Sequence, residues 1–212
     1  SWHWQKNAYM RAAKWELHEE NYGYALTLAL KGKAYPTALR IISEGGLSVL
    51  YKHSPQELRQ ILRNATPVER ARNFNACALI LSAINLIASQ QDAREERDIL
   101  MINLPADWEP SSEENARFLF LEALDSLPDS GMVEADLRKL LSFCKENEVK
   151  LPRDYFQGIF RGVVGQLGFY YRRSGTLLEN VHTLQSIYDI CGLIIKDCDG
   201  RLWHSSAEAE LN

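Results

Sequence analysis

Apolar residues in this chain recur with the period of an α-helix, and that periodicity restricts the fold more than any other feature. Val133, Leu137, Leu140, Leu141 and Cys144 form one stripe. Ala116, Leu119, Phe120, Ala123, Leu124 and Leu127 form a second, and Leu177, Val181, Leu184, Tyr188, Cys191 and Ile195 a third. Each places an apolar band along one side of a helix. No run of strict two-residue alternation is long enough to specify a strand.

The punctuation between stripes has the same grammar. Ser54-Pro55-Gln56-Glu57, Thr66-Pro67-Val68-Glu69 and Ser111-Ser112-Glu113-Glu114 are capping boxes. In each, a hydroxyl accepts from a free backbone N–H and a Glu three residues on reaches back to the cap. Gly45-Gly46 and Gly131 read as breaks and Pro152 as a helix start. The segment Ala76–Ala88 is apolar on every side except for Ser82 and Asn85, which predicts a central buried helix with Asn85 needing a partner. The expected helices are roughly 4–20, 22–32, 35–44, 47–52, 55–64, 67–90, 92–101, 112–126, 131–148, 153–172 and 176–196. Short connections between them make antiparallel neighbours.

At 212 residues, with 46% hydrophobic and 25% charged residues, the chain is globular in composition. The expected organisation is a helical subdomain over 1–103 with its buried helix at 67–90, a linker at 104–111 holding Pro105 and Pro110, and a second helical subdomain over 112–212 with a polar tail from about 205. The opening Ser1-Trp2-His3-Trp4 lacks Met and a signal-peptide core, and the expectation is a piece of a longer intracellular protein, cytoplasmic or nuclear. No apolar run is long enough for a membrane span.

Net charge is −4, unevenly spread. Residues 104–136 hold nine acids and one base, Arg117, whereas residues 31–73 hold eight bases and three acids. The bland reading of each cluster is a solvated helix face. The functional one is a surface that steers a partner. Four cysteines, Cys77, Cys144, Cys191 and Cys198, are too sparse for a disulfide scaffold and read as reduced thiols. Cys191, Cys198 and His204 lack zinc-knuckle spacing and a fourth ligand. No H-E-x-x-H or G-x-S-x-G motif occurs. Gly158, Gly162, Gly165 and Gly168 form a helical stripe suited to close packing, without the strand or G-K-[ST] that phosphate binding requires. The reading is therefore non-enzymatic, without metal or cofactor.

Two stretches resemble the helical-hairpin repeat families of the tetratricopeptide and pentatricopeptide type. Ala29–Leu39 (ALKGKAYPTAL) has the small-residue turn, aromatic and alanine spacing of such a repeat. Residues 131–160 (GMVEADLRKLLSFCKENEVKLPRDYFQGIF) are similar to a pentatricopeptide unit boundary. The resemblance covers about 40 residues without a fixed 34- or 35-residue period. It implies an all-α fold of antiparallel helical hairpins, stacked as an irregular TPR/PPR-like α-solenoid, and a groove for a peptide, a protein or single-stranded RNA.

Three surfaces are the expected partner-binding sites. One is the basic face at Arg59, Arg63, Arg70 and Arg72. Another is the aromatic–arginine edge at Arg161, Tyr170, Tyr171, Arg172 and Arg173. The third is the N-terminal aromatic face at Trp2 and Trp4, where Trp4, Ala8, Ala12 or Arg11, and Trp15 share a side. Trp, Tyr and Arg are the residues that anchor protein partners. The leading expectation is a scaffold that binds a protein or its own copy. RNA binding through the basic region 52–73 and Tyr170–Arg173 is the alternative.

Overall fold

The structure, a computed structural model, describes residues 2–127, 129–151 and 171–194. Among them every regular element is a helix: α1 Trp2–His18, α2 Tyr22–Lys31, α3 Tyr35–Gly45, α4 Pro55–Asn64, α5 Pro67–Arg72, α6 Phe74–Ile87, α7 Gln90–Ile102, α8 Ser112–Asp125, α9 Ser130–Glu146 and α10 Val181–Ile194. The chain divides into two compact units, Ser1–Glu109 and Pro110–Asn212. The stretch expected as a linker is not loose throughout. Trp108 lies against Phe74 with ring centroids 5.0 Å apart, which ties it to the first unit.

All three capping boxes form. The N–H groups of Ser54, Thr66 and Ser111 donate to Glu57, Glu69 and Glu114 at 2.9, 2.8 and 2.7 Å, and the hydroxyls accept in return. Each box satisfies two donors that a helix start leaves open. Three helices also share one ending. Glu20, Lys33 and Glu148 adopt φ of 58°, 49° and 54°. The next residue's N–H then reaches back six residues inclusive, Asn21 to Glu16, Ala34 to Ala29 and Val149 to Cys144, at 2.8–2.9 Å. This is the Schellman ending, made here with side chains in the left-handed region that glycine favours.

α1, α2 and α3 are variations on one 13-residue unit. Tyr9, Tyr22 and Tyr35 are each followed by Ala three residues later and by Ala13, Leu26 or Leu39 four residues later. Ala13, Leu26 and Leu39 are fully buried. Tyr9 and Tyr22 seat on glycines 23 positions downstream. A methyl group on Gly32 would lie 3.0 Å from Tyr9 Cβ, and one on Gly45 would lie 2.7 Å from Tyr22 Cβ. α1 packs along α2 and α2 along α3, so the repeated residues build consecutive antiparallel contacts. The spacing is visible in the sequence once 13-residue periods are tested, although no 34-residue period exists.

The first unit closes on α6, whose Ala76–Ile84 side chains are all buried. α6 touches α3, α4, α5, α7 and the 3₁₀ turn Leu47–Val49. The expected continuous helix 67–90 is corrected here. It breaks at Asn73, with φ −120° and ψ 36°. The Asn73 side-chain amide donates to the Glu69 carbonyl at 2.8 Å, a local bond that competes with helix continuation. The helix expected at 47–52 is only the short 3₁₀ turn. Ser82 within α6 donates to the Ala78 carbonyl at 2.8 Å. Asn85 is 6% exposed and its Oδ1 has no hydrogen-bond partner in the protein, so the expectation of a partner for that oxygen is not met.

In the second unit α9 packs against both α8 and α10. The glycine stripe 158–168 and the helix expected at 153–172 lie outside the described residues, apart from the helical turn 171–174 at its end.

The tyrosine–glycine seat gives a sign test. Gly→Ala in a helix is ordinarily stabilising by up to about 1 kcal/mol. Gly45→Ala is expected to destabilise instead, by about 1–3 kcal/mol, because the methyl group meets the near end of Tyr22 rather than a flexible tip. Urea unfolding midpoints measure it.

Candidate functional site

The four arginines of the expected basic face do different work. Arg59 and Arg63, one turn apart on α4, face Asp92 and Glu96, one turn apart on α7. Arg59 pairs with Asp92, and its Nε lies 3.4 Å from Glu96 Oε1. Arg63 engages both oxygens of Glu96 through Nε, at 3.1 Å, and Nη2. Glu96 is only 3% exposed. A buried carboxylate needs such donors to offset its lost hydration. Ser89, the N-cap of α7, accepts from the Asp92 N–H at 3.0 Å. Hydrogen bonding to Ser89, then Arg59, holds the Asp92 carboxyl below its usual range. Arg70 is 7% exposed with its Nε unpartnered. Arg72 on α5 is open to solvent, and Arg63 is exposed but engaged by Glu96. The four therefore do not form one open cationic face, because α7 supplies acids that sequence periodicity could not bring opposite α4.

The aromatic–arginine edge divides similarly. Tyr171 is buried, while Arg172 and Arg173 are exposed. Tyr170 and Arg161 lie outside the described residues. Tyr171 is thus not a surface stacking platform.

The acidic stretch is also largely engaged. Arg117 is buried and pairs with Glu113 at 2.6 Å. Asp129 Oδ1 caps α9, accepting from Gly131 and Met132 at 3.0 and 3.1 Å. Glu134 accepts from Ser186 at 2.7 Å and from Arg138 at 2.6 Å, joining α9 to α10. Ser186 first and Arg138 second lower the Glu134 pKa.

The aromatic face of α1 is what remains open. Trp2, Trp4 and Trp15 are 51%, 67% and 64% exposed. Trp4, Ala8, Arg11 and Trp15 fall on one side of a 3.6-residue helix, opposite the buried Ala13 and the Tyr9 seat. Lys33 Nζ sits 5.6 Å from the centroid of Trp2, a cation–π contact that joins the α2–α3 turn to the opposite side of α1. Indoles this exposed on one helix are unusual for a surface without an interaction role. Trp15 belongs with Trp4, which their spacing indicates, whereas Trp2, two residues from Trp4, falls on the opposite side of the helix.

A cleft of about 530 Å³ lies between α8 and α9, with Phe118, Leu119 and Phe143 in its lining and Lys139 and Glu146 among its polar groups. It holds no paired acid and base of the kind that general catalysis uses. Among the described residues no cluster of three or more His, Cys, Asp or Glu is placed to hold a metal. Burial pushes the Cys77 thiol up to about 12 and the Cys144 thiol up to about 11, which makes both poor nucleophiles at neutral pH. No described helix is long and apolar enough to cross a membrane.

No protein family, no curated protein and no solved structure matches this chain.

Glu96→Gln is expected to cost roughly 2–3 kcal/mol, since it weakens charge-assisted bonds to two guanidiniums. Arg72→Ala is expected to change stability by less than about 0.5 kcal/mol. Chemical denaturation compares the two. Glu57, Asp92 and Glu134 all have lowered carboxyl pKa values, Glu57 chiefly through the Ser54 backbone N–H. The folded state therefore holds these protons less tightly than the unfolded one. Their stabilisation is present above the ordinary carboxylate range of about 4 and is lost as pH falls below it. Melting temperatures between about pH 7 and 3 should follow that sign.

Proposed function

We propose that this chain is a non-enzymatic α-helical module that works by binding protein, its own copy included, within an intracellular assembly. The observation that carries this reading is the exposed indole face of α1. Trp and Arg anchor protein interfaces because they offer large rigid area with few rotamers to freeze. The partial likeness to tetratricopeptide and pentatricopeptide repeats supports the same reading. So does the α1–α3 array, in which antiparallel helices of one pattern stack side by side, as in helical solenoids.

RNA binding is the second reading, and one observation favours it. Trp4 and Trp15 flank Arg11 on a helix that also carries Lys6 and Lys14, and bases stack on such surfaces. Against it, Arg59 and Arg63 are neutralised by α7, and Arg70 and Tyr171 are buried.

Fluorescence anisotropy with an unstructured oligouridylate at about 50 and 200 mM salt separates the two. The protein-binding reading expects no measurable affinity at either salt. Affinity at the lower salt that collapses at the higher one, and that Trp4→Ala with Trp15→Ala removes, would replace it with RNA recognition.

A further inference from the structure

Arg70 departs from the way this chain treats its other buried and half-buried arginines. Arg59, Arg97 and Arg117 each have a carboxylate partner. Arg70, on α5, is 7% exposed, and no acid among the described residues lies at ion-pair distance from it. Its Nε is sealed from solvent without a hydrogen-bond partner. A guanidinium drawn this far from water loses most of its hydration, and it does not shed its proton to escape the cost. The acids of neighbouring segments do not serve it. Glu69 is held in the Thr66 capping box. Asp107 and Glu109, on either side of the Trp108 that lies against Phe74, are exposed.

The surroundings add positive potential. Arg70 lies against the first turn of α6, where the Cys77 thiol donates to the Arg70 carbonyl at 3.7 Å. Burial raises the Cys77 pKa and the Arg70 charge acts in the opposite direction, so the guanidinium is close enough to act on that turn. α6 is 14 residues long and starts without a side-chain cap. Asn73, at its N-cap, donates its amide to the Glu69 carbonyl instead. The start of such a helix carries about half a positive charge on its open N–H groups. A buried guanidinium and an uncapped helix start are two independent attractions for an anion.

The fit sets the class of ligand. With Arg70 so little exposed, the approach admits a small ion and not a macromolecular surface. The arginine fork matches two oxygens of one oxyanion. The same chain shows that pairing at Arg63, which engages both oxygens of Glu96. Together the guanidinium and the helix start present more than one positive charge, which favours a phosphate over a carboxylate or a halide.

We infer that Arg70 and the start of α6 form a binding site for a small oxyanion of the phosphate class, held by the guanidinium and the first α6 N–H groups. The site uses no residue of the α1 face, so its failure leaves the protein-binding reading standing.

Thermal unfolding of the 212-residue chain in inorganic phosphate, acetate and chloride, at matched ionic strength and pH, tests it. At a phosphate concentration about tenfold above the dissociation constant, the midpoint should rise by about 2–4 °C over chloride. Acetate should give a clearly smaller rise. Arg70→Met keeps a buried stem and removes the charge. It should unfold at a higher temperature than the wild type in chloride, because an unpaired charge is gone, and it should lose the phosphate increment. Arg70→Lys keeps the charge without the fork and should retain only part of the increment. Phosphate also stabilises proteins by exclusion from their surfaces, so the quantity that counts is the difference between wild type and Arg70→Met. A phosphate titration of the wild type followed by NMR needs no variant. The Arg70 Nε–H signal and the backbone amides of Phe74, Asn75 and Ala76 should shift saturably. A phosphate increment that survives Arg70→Met, a titration that leaves those signals unmoved, or equal stabilisation by acetate overturns the inference.

Discussion

The burial of α6 is the constraint on which the first unit depends. A helix apolar on every side cannot rest on a surface, so other elements must surround it. α3, α4, α5, α7 and the 47–49 turn do so. That demand accounts for the short α5, which turns at Asn73 so that the following residues can enter the interior. It also sets where the charged faces of α4 and α7 meet. Once both helices lie against α6, Arg59 and Arg63 come opposite Asp92 and Glu96. The ion pairs follow from hydrophobic packing rather than organise it, since pairs of this kind contribute little unless geometry is already provided.

The α1–α3 array is built on a different economy. α2 and α3 are short, at 10 and 11 residues, and the 17-residue α1 has only Ala13 buried. Their association relies on repetition: the same tyrosine, the same small residues behind it and the same left-handed ending bring each helix back along the last. Glycine at positions 32 and 45 allows the tyrosine backbone side to come close, and close approach increases dispersion contact along the seam. One consequence is that α1 has a seam on one side and tryptophans on the other. Among the described residues, the charges of α4, α7, α8 and α9 named above are engaged in caps, ion pairs and helix–helix bonds.

Much of the local structure was legible in the sequence. The capping boxes at Ser54, Thr66 and Ser111 and the stripes of α8, α9 and α10 depend on neighbours three or four residues away, and such interactions survive any tertiary context. The short connections between helices pointed to antiparallel neighbours, and the period that the first three helices obey is 13 residues. The site was legible only in part. Trp4 and Trp15 were identifiable as a face from spacing alone, and Trp2, expected beside Trp4, lies on the other side of the helix. Arg59, Arg63 and Arg70 looked equivalent to Arg72 along the sequence, because periodicity assigns a residue to a side of its own helix and does not say what lies opposite.

By itself, then, the sequence determined that this protein is helical, where most of its helices start and stop, and which helix is too apolar to be anything but interior. These are consequences of backbone hydrogen bonding, side-chain capping and the helical period, all short-ranged. Only the tertiary structure decided which charges are spent inside the protein, which aromatic residues stay in water, and that Tyr9 and Tyr22 need glycines 23 residues away. Those outcomes depend on contacts between segments distant in the chain, and they are settled by packing around a shared core.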